Sequence, residues 1–141
     1  MIGSKPIRET SGFFDTNVLV YLLSNDARKA ERSASLLAAG GVASVQVLNE
    51  FVSVAVRKHA LDWGELEDML EAFKVALRIE PLTTETQSRA VQLARRYRLA
   101  IYDAMILAAA ELAGCDTVHS EDMQDGQVIE GLTIRNPFAG L

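Results

Sequence analysis

Phe13-Phe14-Asp15-Thr16-Asn17-Val18-Leu19-Val20-Tyr21 decides how the chain is read. Phe13-Phe14 is a brief apolar strand, reaching back at most to Ser11. Asp15 stands directly at its carboxyl end. A helix over Val18–Leu23 follows, entered through Asp15-Thr16-Asn17. Outward from there the alternation repeats. Asn25-Asp26 caps a helix to about Ala38, carrying Ala30, Ala34, Leu37 and Ala38, and Gly40-Gly41 stops it. Val42–Ser44 is a short strand. The helix after it has an apolar stripe of Val45, Leu48, Phe51, Val52, Ala55 and Val56, with Gln46, Glu50, Ser53 and Arg57 on the other side. Asp62 and Glu65 have capping-box spacing for a helix to about Leu77. Arg78–Pro81 is a strand, and Thr84 and Gln87 open a helix to Arg98. Ile101–Ala113 is a helix ended by Gly114. Thr117–Ser120 and Leu132–Ile134 are the last strands. Strands this short and apolar, alternating with helices, predict an α/β/α sandwich around a short parallel sheet and no hairpins.

The rest of the chain sets bounds. Its 141 residues are 49% apolar and 23% charged, an ordinary composition for one folded domain. Residues 1–12 read as a polar lead-in and 13–141 as the domain. No run of about eighteen apolar residues predicts a membrane span. No apolar segment near the start predicts a secretory signal, so a cytoplasmic location is expected. The single cysteine, Cys115, excludes an internal disulfide framework and a cysteine-rich zinc site. A net charge of −5 argues against a strongly basic nucleic-acid binder, but not against an enzyme that holds nucleic acid through metal ions.

Sites in open parallel sheets form beyond the carboxyl ends of the strands. Asp15, Glu50, Asp103 and Asp122 all fall at strand exits or early in helices. Each has a plain alternative: Asp103 complements a helix N-terminus, Glu50 sits on a polar helix face, and Asp122 lies in an acidic loop. Asp15, directly after a buried strand, is the hardest to explain that way. Converging carboxylates raise one another's pKa. None of the four lysines, Lys5, Lys29, Lys58 and Lys74, is placed at a strand end to neutralise them. A hard divalent cation would do so, and would also hold phosphate oxygens and acidify a water.

The quoted stretch resembles the opening motif of the PIN-domain ribonucleases, and among them the VapC-type toxins of bacterial toxin–antitoxin pairs. The resemblance continues through Ser44-Val45-Gln46-Val47-Leu48-Asn49-Glu50-Phe51 and Tyr102-Asp103-Ala104-Met105-Ile106. It ends in Ser120-Glu121-Asp122-Met123-Gln124-Asp125-Gly126, so it spans nearly all of the chain from Phe13. It implies a PIN-like α/β/α sandwich and a Mg2+- or Mn2+-dependent endoribonuclease acting on structured RNA, such as transfer or ribosomal RNA. By the same resemblance Asp15, Asp103 and Asp122 hold the metal, and Glu50 orients or deprotonates the attacking water. Asn17 and Ser120 support the carboxylates. Many relatives carry an aromatic residue soon after the last acids; here Gln124-Asp125-Gly126 intervenes, so Asp122 and Asp125 compete for the fourth position, with Asp122 nearer the strand end. An antitoxin partner, lying on apolar surface of the first two helices, and a homodimer are also implied.

RNA requires positive charge around such a pocket. Arg57 and Lys58 on the Glu50 helix, and Arg95, Arg96 and Arg98 before Asp103, are the candidates, with a solvated helix surface the equal alternative. Trp63 is expected to pack under the start of its helix and Cys115 in or near the core. His119, close to Asp122, is in reach of the site. Two other functions compete: an inactive PIN-like scaffold, and an aspartyl-phosphate phosphatase or receiver-like domain. The phosphatase reading needs an acid where Asn17 stands, and both phosphate-handling readings need a lysine that is missing.

Overall fold

The computed structural model describes residues 12–141. The expected lead-in lies outside the described residues except for Gly12, which opens the first strand. In chain order the elements are β1 (Gly12–Phe14), α1 (Thr16–Val20), a 3-10 turn (Tyr21–Leu23), α2 (Ala27–Ala39), β2 (Val42–Ser44), α3 (Val45–His59), α4 (Trp63–Ala76) and β3 (Arg78–Glu80). They continue with α5 (Thr84–Tyr97), α6 (Ile101–Leu112), β4 (Thr117–His119), β5 (Val128–Ile129) and β6 (Leu132–Arg135).

The helices start where short polar side chains can accept backbone N–H groups that have no partner in the first turn. Asp26 accepts from Arg28 and Lys29, Ser44 from Val47, and Asp62 from Glu65. For α5 the cap is Thr83, which accepts from Thr86 at 3.1 Å, one residue before the expected pair. Thr84 already has helical geometry, so its hydroxyl cannot serve as the cap. The first helix also begins two residues earlier than expected, because the Asp15 carboxylate itself caps it.

The sheet order is β3-β2-β1-β4-β6-β5, with every pair parallel except β5 and β6. The chain steps from β1 outward to β2 and β3, then crosses back through α5 and α6 to β4 on the other side of β1. Right-handed crossovers in opposite directions place α1–α4 and α5–α6 on opposite faces of the sheet, giving the three-layer sandwich. The expectation of no hairpins fails at the edge. Val128–Ile129 pairs antiparallel with Leu132–Thr133 across Glu130 and Gly131, both at positive φ (50° and 82°), the geometry of a two-residue turn. The strand is only two residues long, too short for its alternation to register in sequence.

Phe13, Phe14, Val42, Ala43 and Val118 fill the sheet's interior. On one face Phe51 meets Phe73 edge-on, with ring centroids 4.9 Å apart. On the other, α6 presents Ala104, Ala108, Ala109 and Ala110, all buried; their small side chains let the helix lie close to the strands. The apolar stripe of α3 is rotated from expectation: Val47, Leu48, Phe51 and Ala55 are inside, Val56 is exposed and the polar Gln46 is buried. Trp63 does not pack under its helix but is 63% exposed, while Cys115 is buried as expected. Val18 and Leu19 of α1 belong to the core, which removes them from any outer docking surface.

Gly12 shows how tightly β1 and β4 are fitted. A Cβ there would stand 2.4 Å from Nε2 of His119, whose ring is wedged edge-on against Phe14 at 5.5 Å. His119 therefore serves strand packing, and burial holds its pKa below the usual value. Gly12→Ala should lower stability in urea unfolding by about 1–3 kcal/mol, the usual cost of overpacking. An unchanged midpoint would show that the two strands have room to part.

Candidate active site at the carboxyl ends of β1 and β4

Adjacent strands whose connections run in opposite directions leave a crevice at their carboxyl ends. Between β1 and β4 that crevice is walled by Asp15 on one side and by the Ser120–Met123 loop on the other. Asp15 is 7% exposed, and a carboxylate so buried needs donors. Oδ1 accepts the Thr16 N–H at 2.7 Å. Oδ2 accepts the Ser120 hydroxyl at 2.7 Å and the Asn17 amide at 3.4 Å. The Asp15 N–H donates in turn to the His119 carbonyl at 3.0 Å.

Ser120 and Asn17 extend this bonding to the last acid. The fully buried Ser120 Oγ accepts the N–H groups of Asp122 and Met123 at 3.2 and 3.3 Å. Asn17 Nδ2 donates to Asp122 Oδ2 at 3.1 Å, and Asn17 Oδ1 accepts the Glu121 N–H at 3.1 Å. The two residues thus staple the β1 exit to the β4 exit. Asp125 stands apart: its Oδ1 accepts the Asn136 N–H at 2.8 Å, closing the turn beyond β6. The network that contains Asp15 includes Asp122 and not Asp125.

Glu50 comes from the second turn of α3, held by Gln46 Nε2 at 2.9 Å; the same nitrogen reaches the Tyr102 carbonyl at 3.3 Å. Gln46 so ties the start of α3 to the start of α6, where Asp103 lies in the first turn. Sequence periodicity had put Gln46 on the polar side of its helix, and nothing in that pattern distinguishes an amide aimed at solvent from one joining two helices. Beside Glu50 opens a groove of about 470 Å³ whose walls include Leu82, Ile101, Tyr102 and Met105. The Tyr102 side chain is among the most exposed large ones, at 69%.

Burial and neighbouring charge act together on these acids. Burial pushes the Asp15 carboxyl up to about 6; the bonds from Ser120 and Thr16 oppose that rise, and the charges of Asp122 and Glu50 add to it. Asp103 is also raised, by burial first and then by Asp122. Among the described residues none of the four acids has a Lys, Arg or His ion-pair partner. One lysine lies nearby without pairing with any of the four: Lys29 Nζ lies 3.5 Å from Glu121, the residue between Ser120 and Asp122. The donor set is all oxygen, which fits a hard cation. Among the described residues no three His, Cys, Asp or Glu side chains are gathered tightly enough to hold a metal by themselves, so waters would complete its shell, as Mg2+ prefers.

The basic candidates are not brought together. Arg57 and Lys58 are exposed in the last turn of α3. Arg95 is exposed on α5, and Arg98 ends that helix in a left-handed conformation. Arg96 reaches Glu130 at 3.5 Å. Glu130 precedes β6, whose start lies beside the start of β4, so Arg96 is engaged at the opposite end of the sheet.

The raised pKa of Asp15 has a stability consequence. Its folded value, about 6, exceeds the ordinary 3.8, so the folded state binds that proton more tightly. The resulting stabilisation is complete below about pH 4 and is lost as pH rises through 6. Two units correspond to at most about 3 kcal/mol. Metal-free Asp15→Asn should therefore melt above the parent at pH 8, with the gap closing towards pH 4. Equal melting at pH 8 would show that burial does not strain this carboxylate.

The chain matches the family model of the PIN domain over residues 12–125. No curated protein matches it by sequence. Among solved structures it is similar to a toxin–antitoxin complex from Klebsiella pneumoniae, at 25% identity and a TM-score of 0.69, covering 91% of this chain and 98% of that one. It shares its fold with VapC20 of Mycobacterium tuberculosis, described as a sarcin–ricin loop cleaving toxin, at 21% identity and a TM-score of 0.64, covering 79% and 90%. It shares it also with DNA-bound VapBC from Salmonella typhimurium, at 20% identity and a TM-score of 0.67, covering 91% and 98%. With a family match across most of its length and the acidic crevice at the strand ends, the chain belongs to the PIN-domain family.

Proposed function

We propose that the protein is a metal-dependent endoribonuclease that cuts structured RNA, transfer or ribosomal, and acts as the toxin of a toxin–antitoxin pair in the cytoplasm. The observation that carries this reading is the stapled pair of Asp15 and Asp122, with Glu50 and Asp103 close enough to be felt in the same crevice. Toxin action draws on the Klebsiella and Salmonella likenesses, and RNA on that to VapC20. Both a cognate antitoxin and a homodimer belong to the reading.

Asp15, Asp103 and Asp122 would hold Mg2+ or Mn2+, which when bound offsets charge on phosphate oxygens and lowers the pKa of a water. Thr16 donates to one oxygen of Asp15 and Ser120 and Asn17 to the other, which orients the carboxylate and leaves a lone pair of Oδ1 for a cation. Asn17 aims Asp122 into the same space. Glu50, fixed by Gln46, takes the proton from the attacking water. Tyr102 offers an exposed ring one residue from Asp103, a surface on which an unstacked base can lie. Arg57, Lys58, Arg95 and Arg98 are the side chains left to meet backbone phosphates.

Purified protein should cut total cellular RNA at discrete sites with Mg2+ or Mn2+ and not with EDTA, fragment ends being read by sequencing. Asp15→Asn and Glu50→Gln should each lose at least about a hundredfold, the scale of a general base. Cleavage that survives both changes would remove the acidic crevice from the mechanism. Tyr102→Ala should raise the KM for RNA several-fold with kcat little changed, base stacking being worth about 1–3 kcal/mol. An unchanged KM would free that ring from any part in substrate binding.

A further inference from the structure

Tyr21, Lys29 and Glu121 form a cluster that the proposed chemistry does not use. The Tyr21 hydroxyl, from the 3-10 turn, donates to Glu121 Oε1. Lys29 Nζ, from the first turn of α2, lies 3.2 Å from the Tyr21 oxygen and 3.5 Å from Glu121 Oε2. It also stands 4.7 Å from the centroid of the Tyr21 ring, and Phe138 packs against that ring at 4.4 Å. Lys29 and Glu121 are only 24% and 30% exposed, so the contact is partly shielded from water. Tyr21 and Lys29, from neighbouring elements, thus converge on one glutamate side chain far along the sequence.

The backbone of that glutamate leads straight to the crevice. Its N–H donates to Asn17 Oδ1, while Asn17 Nδ2 holds Asp122. Asp122 is the next residue in the chain. Glu121 and Asp122 are thus neighbours in the chain that share Asn17 as a partner. The anchor holds the Glu121 carboxylate towards the 3-10 turn and α2.

We propose that Tyr21, Lys29 and Glu121 are positioning residues: a clamp that sets the placement of Asp122 and through it the affinity of the crevice for a divalent cation. This rests on the reading above only in taking the four acids as a cation site. Position and charge make opposite predictions at Lys29. Removing its positive charge makes the surroundings more negative, which by charge alone tightens cation binding; loss of the anchor weakens it.

The test is Mn2+ titration of the full chain by calorimetry, with folding checked by circular dichroism. Tyr21→Phe and Lys29→Met should each bind Mn2+ about tenfold more weakly, the lower end of what outer partners of metal ligands contribute. In an Asp122→Asn background Tyr21→Phe should change nothing further, because its effect passes through that residue. If Tyr21→Phe does not fold, Lys29→Met carries the test. Unchanged or tighter binding by Lys29→Met overturns the clamp, as does an equal Tyr21→Phe effect in both backgrounds. Failure of the parent protein to bind Mn2+ overturns the reading of the crevice itself, and the clamp with it.

Discussion

The burial of one carboxylate organises this molecule. Asp15 follows two phenylalanines that are shut in the core, so its own side chain has almost no access to bulk water. An ionised group in that position is tolerated only with donors around it. Thr16 supplies one simply by beginning a helix. Ser120 and Asn17 supply the others, and Ser120 lies more than a hundred residues away. The bond from Ser120 is therefore also a tertiary constraint: it requires β4 to lie beside β1 in register, with Phe14 opposite His119. The fold and the acidic crevice share the same hydrogen bonds.

That constraint explains why the acids sit where they do. Between β3 and β4 the chain crosses back over the sheet, and the order of strands reverses beside β1. Strands on either side of it send their connections apart, which leaves an opening between their ends. Asp15 and Asp122 come from the two strands that flank the opening. Glu50 and Asp103 come from the starts of α3 and α6, whose first turns close over it from the two faces of the sheet. Helix N-termini bring positive potential to the same place, which eases the gathering of four negative charges without a lysine among them. Burial first, and then the charges of neighbouring acids, holds the carboxyls of Asp15 and Asp103 above their usual range.

Most of this was legible because it depends on local rules. Short stretches ending at Asp15, Ser44 and Ser120 marked β1, β2 and β4, and the caps marked the helix starts to within about two residues. The four acids stood out by their place at element boundaries. The readings that failed depend on contacts between distant segments. Val128–Ile129 is a strand only because β6 lies beside it. Trp63 had no partner waiting beneath it. Gln46 is indistinguishable from a solvent-facing amide until α6 is brought alongside. Lys29 is at no strand end and pairs with none of the four acids, yet α2 carries it to Glu121 just past the exit of β4. Short-range pattern places backbone well; it does not say how far a four-carbon side chain reaches.

The supporting residues divide the labour in a way that follows from their chemistry. Ser120 and Thr16 face the most buried acid and are small or backbone donors, so they can be enclosed completely. Asn17 has both a donor and an acceptor and so can hold the Asp122 side chain while taking the Glu121 N–H. A serine there could not do both at that reach, and an aspartate would repel Asp122. The amide at position 17 is thus what separates this crevice from one built for a phosphorylated aspartate, where a second acid is needed at the same place. A single side chain, chosen for its two-sided hydrogen bonding, turns the end of β1 from a lone buried acid into one half of a paired site.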